Sequence, residues 1–398
     1  MAIADSRFQF PREPSALAHA CPEQCLKDGS EEEISLIKLA ILGTRGIPAR
    51  YGGFETFAEQ LATKLAGRGV NVTVFCPAPS PRSDETYRGV TLKFVRFPHL
   101  GKYSEMFWDA RCLCAARRQF DVVYMLGLGG AFAAWVPRLF GARVWVNTDG
   151  IEWKRRKFTW PQRAYLAIAE ALSVLFASRI VADASAIAEY LRRRYPGLKH
   201  VSTIAYGADL PAGKPDRTFI EEWDLEPDGY YIVVSRLEPE NHVLEIVQGF
   251  EQTRSSLPLV VLGNIESPNK YVRTVLAHNS ARVRFIGTVY DKDKLEALRF
   301  YARAYMHGHS VGGTNPSLLE AMACANLVVA HDNPFNREVL GEAGLYFATR
   351  GELATIVEDV DGNRVNASVR RQRAADIIAS RYCWDHIADA YLALLQET

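Results

Sequence analysis

No apolar run in this sequence is long enough to cross a bilayer; the longest candidate, 164–177, falls short of a span and has Glu170 inside it. The basic-then-apolar order of a signal peptide is absent from the first residues, so a cytoplasmic protein is expected. Cysteine is scarce and odd in number: Cys21, Cys25, Cys76, Cys112, Cys114, Cys324 and Cys383. The close pairs Cys21/Cys25 and Cys112/Cys114 have no second pair at zinc spacing, which reads as idle thiols in a reducing compartment and as no metal site. No Gly-Lys-Ser/Thr follows any glycine cluster, which excludes a P-loop. Nor is there an excess of one charge, with 47 Lys+Arg against 46 Asp+Glu. That balance hides an asymmetry: residues 101–200 hold 16 Lys+Arg and 8 Asp+Glu, a local net of +8, so the remainder sums to −7. A basic face on the first half, suited to an anionic partner, is expected.

What is present is an α/β alternation that runs twice. Residues 1–36 mix Pro, Ser and charge without periodicity and read as a disordered tail. Strands are expected at 37–42, 71–76, 90–97, 121–126, 143–147, 179–182 and 201–204, with helical patterns between most of them. In the first helix, 53–68, Phe54, Phe57, Ala58, Leu61, Ala62 and Leu65 share one face, and Gly69 ends it. A Gly/Pro/Asp-rich linker spans 207–229, and the alternation restarts with strands at 230–235, 257–262, 283–286, 304–306 and 327–330. Two βα runs predict two doubly wound, Rossmann-like parallel-sheet domains, 37–212 and 213–380, facing a central cleft, with ligands at the carboxyl ends of the strands. The last helix is expected at 384–395 within the segment 381–398.

Two glycine-rich strings carry the chemistry. The first strand runs into Gly43-Thr44-Arg45-Gly46-Ile47-Pro48-Ala49-Arg50-Tyr51-Gly52-Gly53, where the N–H groups that open a helix can hold an anion. A dinucleotide fingerprint would want an acidic residue after the second strand, which instead ends Phe75-Cys76-Pro77. An oxidoreductase is therefore disfavoured, and a ligand-free strand-to-helix turn is the bland alternative. The second string runs from His307 through Gly312, Gly313, Thr314, Asn315 and Pro316 to Glu320. Thr314 or Asn315 caps a helix with Pro316 in its first turn, and its free N–H groups suit a diphosphate. Glu320, one turn in, can accept ribose hydroxyls; a solvated glutamate is the alternative.

This second string resembles the donor loop and helix of the family-four retaining glycosyltransferases with the GT-B fold. Their pattern is a glutamate, seven residues and a second glutamate; Glu320 matches the second, and Gly312 stands where the first would be. Together with the string at 43–56 it looks like the rhamnosyltransferase branch, and the resemblance runs from about residue 37 to the C-terminus. It implies transfer of a hexosyl group, from dTDP-L-rhamnose, to a lipid-linked saccharide in bacterial surface polysaccharide synthesis, with no cofactor or metal. The resemblance also implies that the last helix packs back on the first domain. It also implies a donor site of Gly46, Gly52, Gly53, Arg236, Asn241, Gly263, Asn264, Gly287, Tyr290, Gly313, Thr314, Asn315 and Glu320. Arg236 is the diphosphate arginine, Asn241 replaces the family's lysine, and Asp149 stands where many relatives have histidine. Arg236 and Asp149 are the catalytic candidates. A non-catalytic nucleotide-sugar binding protein and a nucleotide-sugar epimerase are the alternatives.

The segment Trp153, Lys154, Arg155, Arg156, Lys157 to Trp160 interleaves aromatics and cations ahead of the apolar pattern 164–177. It predicts peripheral contact with an anionic membrane surface, against the plainer reading of a solvated loop. Nucleic-acid binding is not expected, since no reader motif accompanies these cations.

Overall fold

The computed structural model describes residues 37–49, 52–80, 83–148, 150–155, 158–267 and 269–397. The expected tail 1–36 therefore lies outside the described residues, as do Arg50, Tyr51, Asp149, Arg156 and Lys157.

The first unit contains β1 (Lys38–Leu42), β2 (Asn71–Ala78), β3 (Glu85–Tyr87), β4 (Val90–Arg96), β5 (Val122–Leu126), β6 (Arg143–Asn147), β7 (Arg179–Ala182) and β8 (Val201–Thr203). Its helices are α1 (Gly53–Gly67), α2 (Ser104–Ala116), α3 (Trp135–Arg138), α4 (Trp160–Phe176) and α5 (Ser185–Arg194). The second unit follows with α6 (Thr218–Glu221), β9 (Tyr231–Val234), α7 (Val243–Glu251), β10 (Leu259–Leu262), α8 (Lys270–Leu276), β11 (Val283–Gly287), α9 (Lys292–Phe300) and β12 (Ala304–His307). It continues through α10 (Pro316–Ala323), β13 (Val328–His331), α11 (Pro334–Leu340), β14 (Leu345–Phe347), α12 (Arg350–Asp361) and α13 (Ala367–Ile377), and α14 (Trp384–Gln396) ends the chain.

The first sheet has the order β3-β4-β2-β1-β5-β6-β7-β8 and the second β11-β10-β9-β12-β13-β14. Every pairing is parallel except β3 with β4. The antiparallel β3 is absent from the sequence-based expectation, because Glu85-Thr86-Tyr87 is short and half-solvated; β14 is likewise missed. Leu39 to Leu42 and Val122 to Leu126 are fully buried, as strands covered on both faces must be. In each sheet the strand order reverses beside one strand, β1 or β9, so the loops after β1, β9 and β12 open into a crevice.

The last helix returns to the first sheet. Lys64 of α1 and Arg68, its C-cap, pair with Asp385, and Arg68 also pairs with Asp389 at 2.8 Å. Beneath them the buried hydroxyls of Tyr124 and Tyr391 share a hydrogen bond of 2.7 Å, and Phe57 packs against Tyr124, Tyr206, Trp384 and Tyr391. Side chains 384, 387, 388, 391, 394 and 395 are the buried ones, a helical stripe facing the core.

Candidate functional site

The donor-side turn is built from β9 outward. Asn241 is 4% exposed and spends both ends of its amide inside the protein. Its Nδ2 donates to the Arg236 carbonyl at 2.7 Å, and its Oδ1 lies 2.7 Å from Nδ1 of His309. Asn241 is therefore a strut between two loops. Arg236 extends from that turn with its side chain half exposed and a loose 3.8 Å contact to Glu238.

The loop after β12 carries the rest. Asn315 caps α10, its Oδ1 accepting from the Ser317 N–H at 2.9 Å, with Pro316 in the first turn. Thr314 caps nothing; its hydroxyl donates to the Asp183 carbonyl in the first unit. Glu320 is half exposed and makes a 2.5 Å ion pair with the buried Arg299, so a freely solvated glutamate does not describe it. Burial and the charge of His331 push the His307 imidazole down to about 3. His309 is held well below the ordinary histidine range, chiefly by burial, then by His307, Arg155 and Arg236. Both rings are neutral at physiological pH, and with Asn241 accepting from Nδ1–H, His309 directs its Nε2 lone pair toward Gly312.

The remaining glycines serve geometry. A side chain at Gly46 would strike Cys76, one at Gly263 the Ser235 carbonyl, and one at Gly52 the Glu55 carboxylate. That carboxylate, in the first turn of α1, also accepts from the Arg45 N–H at 2.9 Å, tying the loop after β1 to the helix. Gly53 lies against Pro316, setting the N-termini of α1 and α10 at one place in the cleft. Asn264 forms an Asx turn to the Glu266 N–H at 3.0 Å, Gly287 has φ +80°, and Tyr290 is 69% exposed at the rim.

The units meet at this loop. Gly150 and Gly312 are so close that a Cβ on the former would stand 2.5 Å from the latter's Cα. Gly313 faces the buried Asp183, which follows β7. Glu338 of α11 accepts from the Ser185 N–H at 2.8 Å and the Ala186 N–H at 3.3 Å, capping α5 from the other unit.

Arg155 is the main correction. Expected at a membrane, it is 5% exposed, ion-paired with Glu152 at 2.5 Å, and turned to the Gly312 loop. Trp153 is half-buried, with Nε1 donating to the Tyr190 hydroxyl at 2.9 Å. Glu152, three residues before Arg155, was the available signal that this cation has an internal partner. Asp183 and Glu338 also escaped the sequence reading; only Asp183, at a strand's carboxyl end, carried a positional hint. Asp291 caps α9, while Asp359 and Asp361 end α12 and bind Arg364 and Tyr231. Among the described residues no His/Cys/Asp/Glu group suits a metal ion.

Comparison with known proteins agrees with this geometry. Residues 216–361 match the model of glycosyl transferases group 1, and residues 37–209 match a domain of unknown function, DUF1972. A segment of 160 residues is 26% identical to O-antigen chain mannosyltransferase B of Escherichia coli; it covers 38% of this chain and 42% of that relative. The fold resembles sucrose-phosphate synthase of Thermosynechococcus elongatus, with a TM-score of 0.76 at 16% identity over 91% of this chain and 98% of that one. It also resembles Anabaena HepE in complex with UDP-glucose, with a TM-score of 0.72 at 16% identity over 91% and 100%. With two parallel sheets meeting at loops that follow β1, β9 and β12, the chain has the GT-B architecture, and the unit that carries the β9 and β12 loops is the part similar to the glycosyl transferases group 1.

Proposed function

We propose that this protein transfers L-rhamnose from dTDP-L-rhamnose, with retention of configuration, to a lipid-linked saccharide during synthesis of a bacterial surface polysaccharide. The observation that carries this reading is the approach of Arg236, Arg155 and the α10 N-terminus to the loop around His309 and Gly312. Two guanidinium groups and a helix N-terminus together suit a diphosphate. Cleaving the glycosidic bond adds negative charge to that diphosphate, and groups fixed where the charge grows stabilise the transition state more than the ground state. Residues 37–212 would present the acceptor and 213–380 the donor, with Asp149, next to Gly150, contacting a sugar hydroxyl. Work at the inner face of the cell membrane follows from a lipid-linked acceptor. The mannosyl relative supports action on polysaccharide and favours a second donor, a mannose nucleotide. The discriminating experiment is thermal unfolding with dTDP-L-rhamnose, GDP-mannose and UDP-glucose in parallel. Stabilisation by dTDP-L-rhamnose alone supports the reading; stabilisation by GDP-mannose or UDP-glucose without it overturns the donor.

A further inference from the structure

Beyond Arg163 in its first turn, the outward face of α4 carries no charge. Trp160, Ala164, Ile168, Ala171 and Leu175 are its exposed aromatic and aliphatic positions, and at helical spacing they form one stripe about 100° wide. Trp160 is 80% exposed, Ile168 59% and Leu175 66%. The single carboxylate of this helix, Glu170, is turned inward instead, where it accepts from Tyr190 and Tyr195 and pairs with Arg194. This reverses the usual order of a surface helix, in which charge faces out.

The apolar surface continues onto α3. Arg138 donates to the Phe176 carbonyl at 2.8 Å and Tyr165 to the Gly129 carbonyl at 2.7 Å, which ties α3 and the turn before it to α4. There Trp135 is 43% exposed and Leu139 70%. A contiguous apolar patch of this kind marks an interaction surface. Cations border it: Lys154 and Arg163 are both exposed at the N-terminal end of α4. A second copy of the chain would bring the same cations against these, whereas an anionic surface would attract them.

We infer that the α4 stripe, with Trp135 and Leu139 of the adjoining α3 segment, is a docking surface for an anionic lipid bilayer. The helix lies in the plane of the headgroups, with its aliphatic side chains among the acyl chains and its tryptophans at the boundary. Lys154 and Arg163, both exposed beside its N-terminal end, meet the lipid phosphates. The surface shares Lys154 and Trp160 with the basic segment and adds the side chains of α4 and α3, while Arg155 is buried in the cleft. Its purpose rests on the proposed lipid-linked acceptor, which membrane docking would bring within reach of the cleft.

The test is co-flotation of the full chain with vesicles of phosphatidylglycerol and phosphatidylethanolamine, and with phosphatidylcholine vesicles as the neutral control. Wild type should float with the anionic vesicles at low salt and stay below with the neutral ones. The combined variant Trp160→Ser, Ile168→Gln, Leu175→Gln should bind roughly a hundredfold more weakly, since each lost side chain weakens partitioning several-fold. These residues are exposed, so its thermal unfolding and its transfer to a short-chain, water-soluble acceptor should match wild type. Undiminished flotation of the variant, or failure of wild type to float, overturns the inference. So does a wild-type dimer that the variant converts to monomer, which would make a second copy the occupant. Flotation that appears only after deletion of residues 1–36 would make that segment the occupant and overturn it equally. Absence of transfer even to the soluble acceptor would sink the proposed function, while flotation would still judge the surface.

Discussion

Arg236 and Arg155 reach one loop from opposite units, and their replacement separates the cleft from the membrane surface. Arg236→Ala should lower turnover by on the order of 2–4 kcal/mol in transition-state energy, with a smaller change in donor affinity. Near-normal turnover would place that side chain outside the site. Arg155→Ala should lower turnover in the same sense and leave vesicle flotation unchanged; lost flotation with intact turnover would restore the membrane role that its sequence neighbours suggest. Glu320 needs a gentler change, because removing it strands the buried Arg299, and breaking a buried pair costs roughly 3–5 kcal/mol. Glu320→Gln keeps a hydrogen-bond acceptor, so weaker nucleotide binding at a nearly unchanged unfolding temperature would assign it to the ribose, and unchanged binding would remove it. The buried histidines set the acid behaviour. For His307 the folded-state value, about 3, lies below the ordinary value of 6.5. The unfolded chain therefore takes up the proton first. Stability is unaffected well above pH 6.5 and falls as pH drops through the window toward 3, at about 1.4 kcal/mol per pH unit for each such histidine. Unfolding measured across that window should show a shallower slope for His307→Asn than for wild type.

At the scale of elements, most of the strand pattern was legible because parallel strands buried on both faces leave continuous apolar runs, as Leu39 to Leu42 and Leu259 to Leu262 do. Glu85-Thr86-Tyr87 could not be read this way: an edge strand of three residues has no apolar run to betray it. The helix starting at Pro316 was legible from Asn315 and the following proline, since capping is local chemistry. That Asn241 bonds His309 and that Arg155 turns to the Gly312 loop was not, because those partners lie 68 residues away in one case and across the cleft in the other. Likewise nothing local announces that Glu338 caps α5, yet this carboxylate ties the two units together. Glu338→Ala should loosen the closed arrangement, raising KM for both substrates more than it lowers kcat; identical kinetics would show the cap to be incidental. For α14, Tyr391→Phe removes a buried hydroxyl pair with Tyr124 and should cost about 1 kcal/mol in chemical unfolding.

For the whole molecule, the units close on each other through contacts that admit no side chain, between Gly150 and Gly312 and between Gly313 and Asp183. Such contact covers the side of the loop that the buried Arg155 faces, and electrostatic stabilisation strengthens where a charge is shielded from solvent. The central claim is that this cleft transfers a deoxyhexose from a nucleotide diphosphate to a lipid-linked acceptor. The most direct measurement is mass spectrometry of lipid-linked saccharide after incubation with dTDP-L-rhamnose and either wild type or Arg236→Ala. The account predicts acceptor heavier by one deoxyhexose with wild type, and little of it with the variant. Consumption of the donor with no change in acceptor mass, or equal product from both proteins, would contradict it.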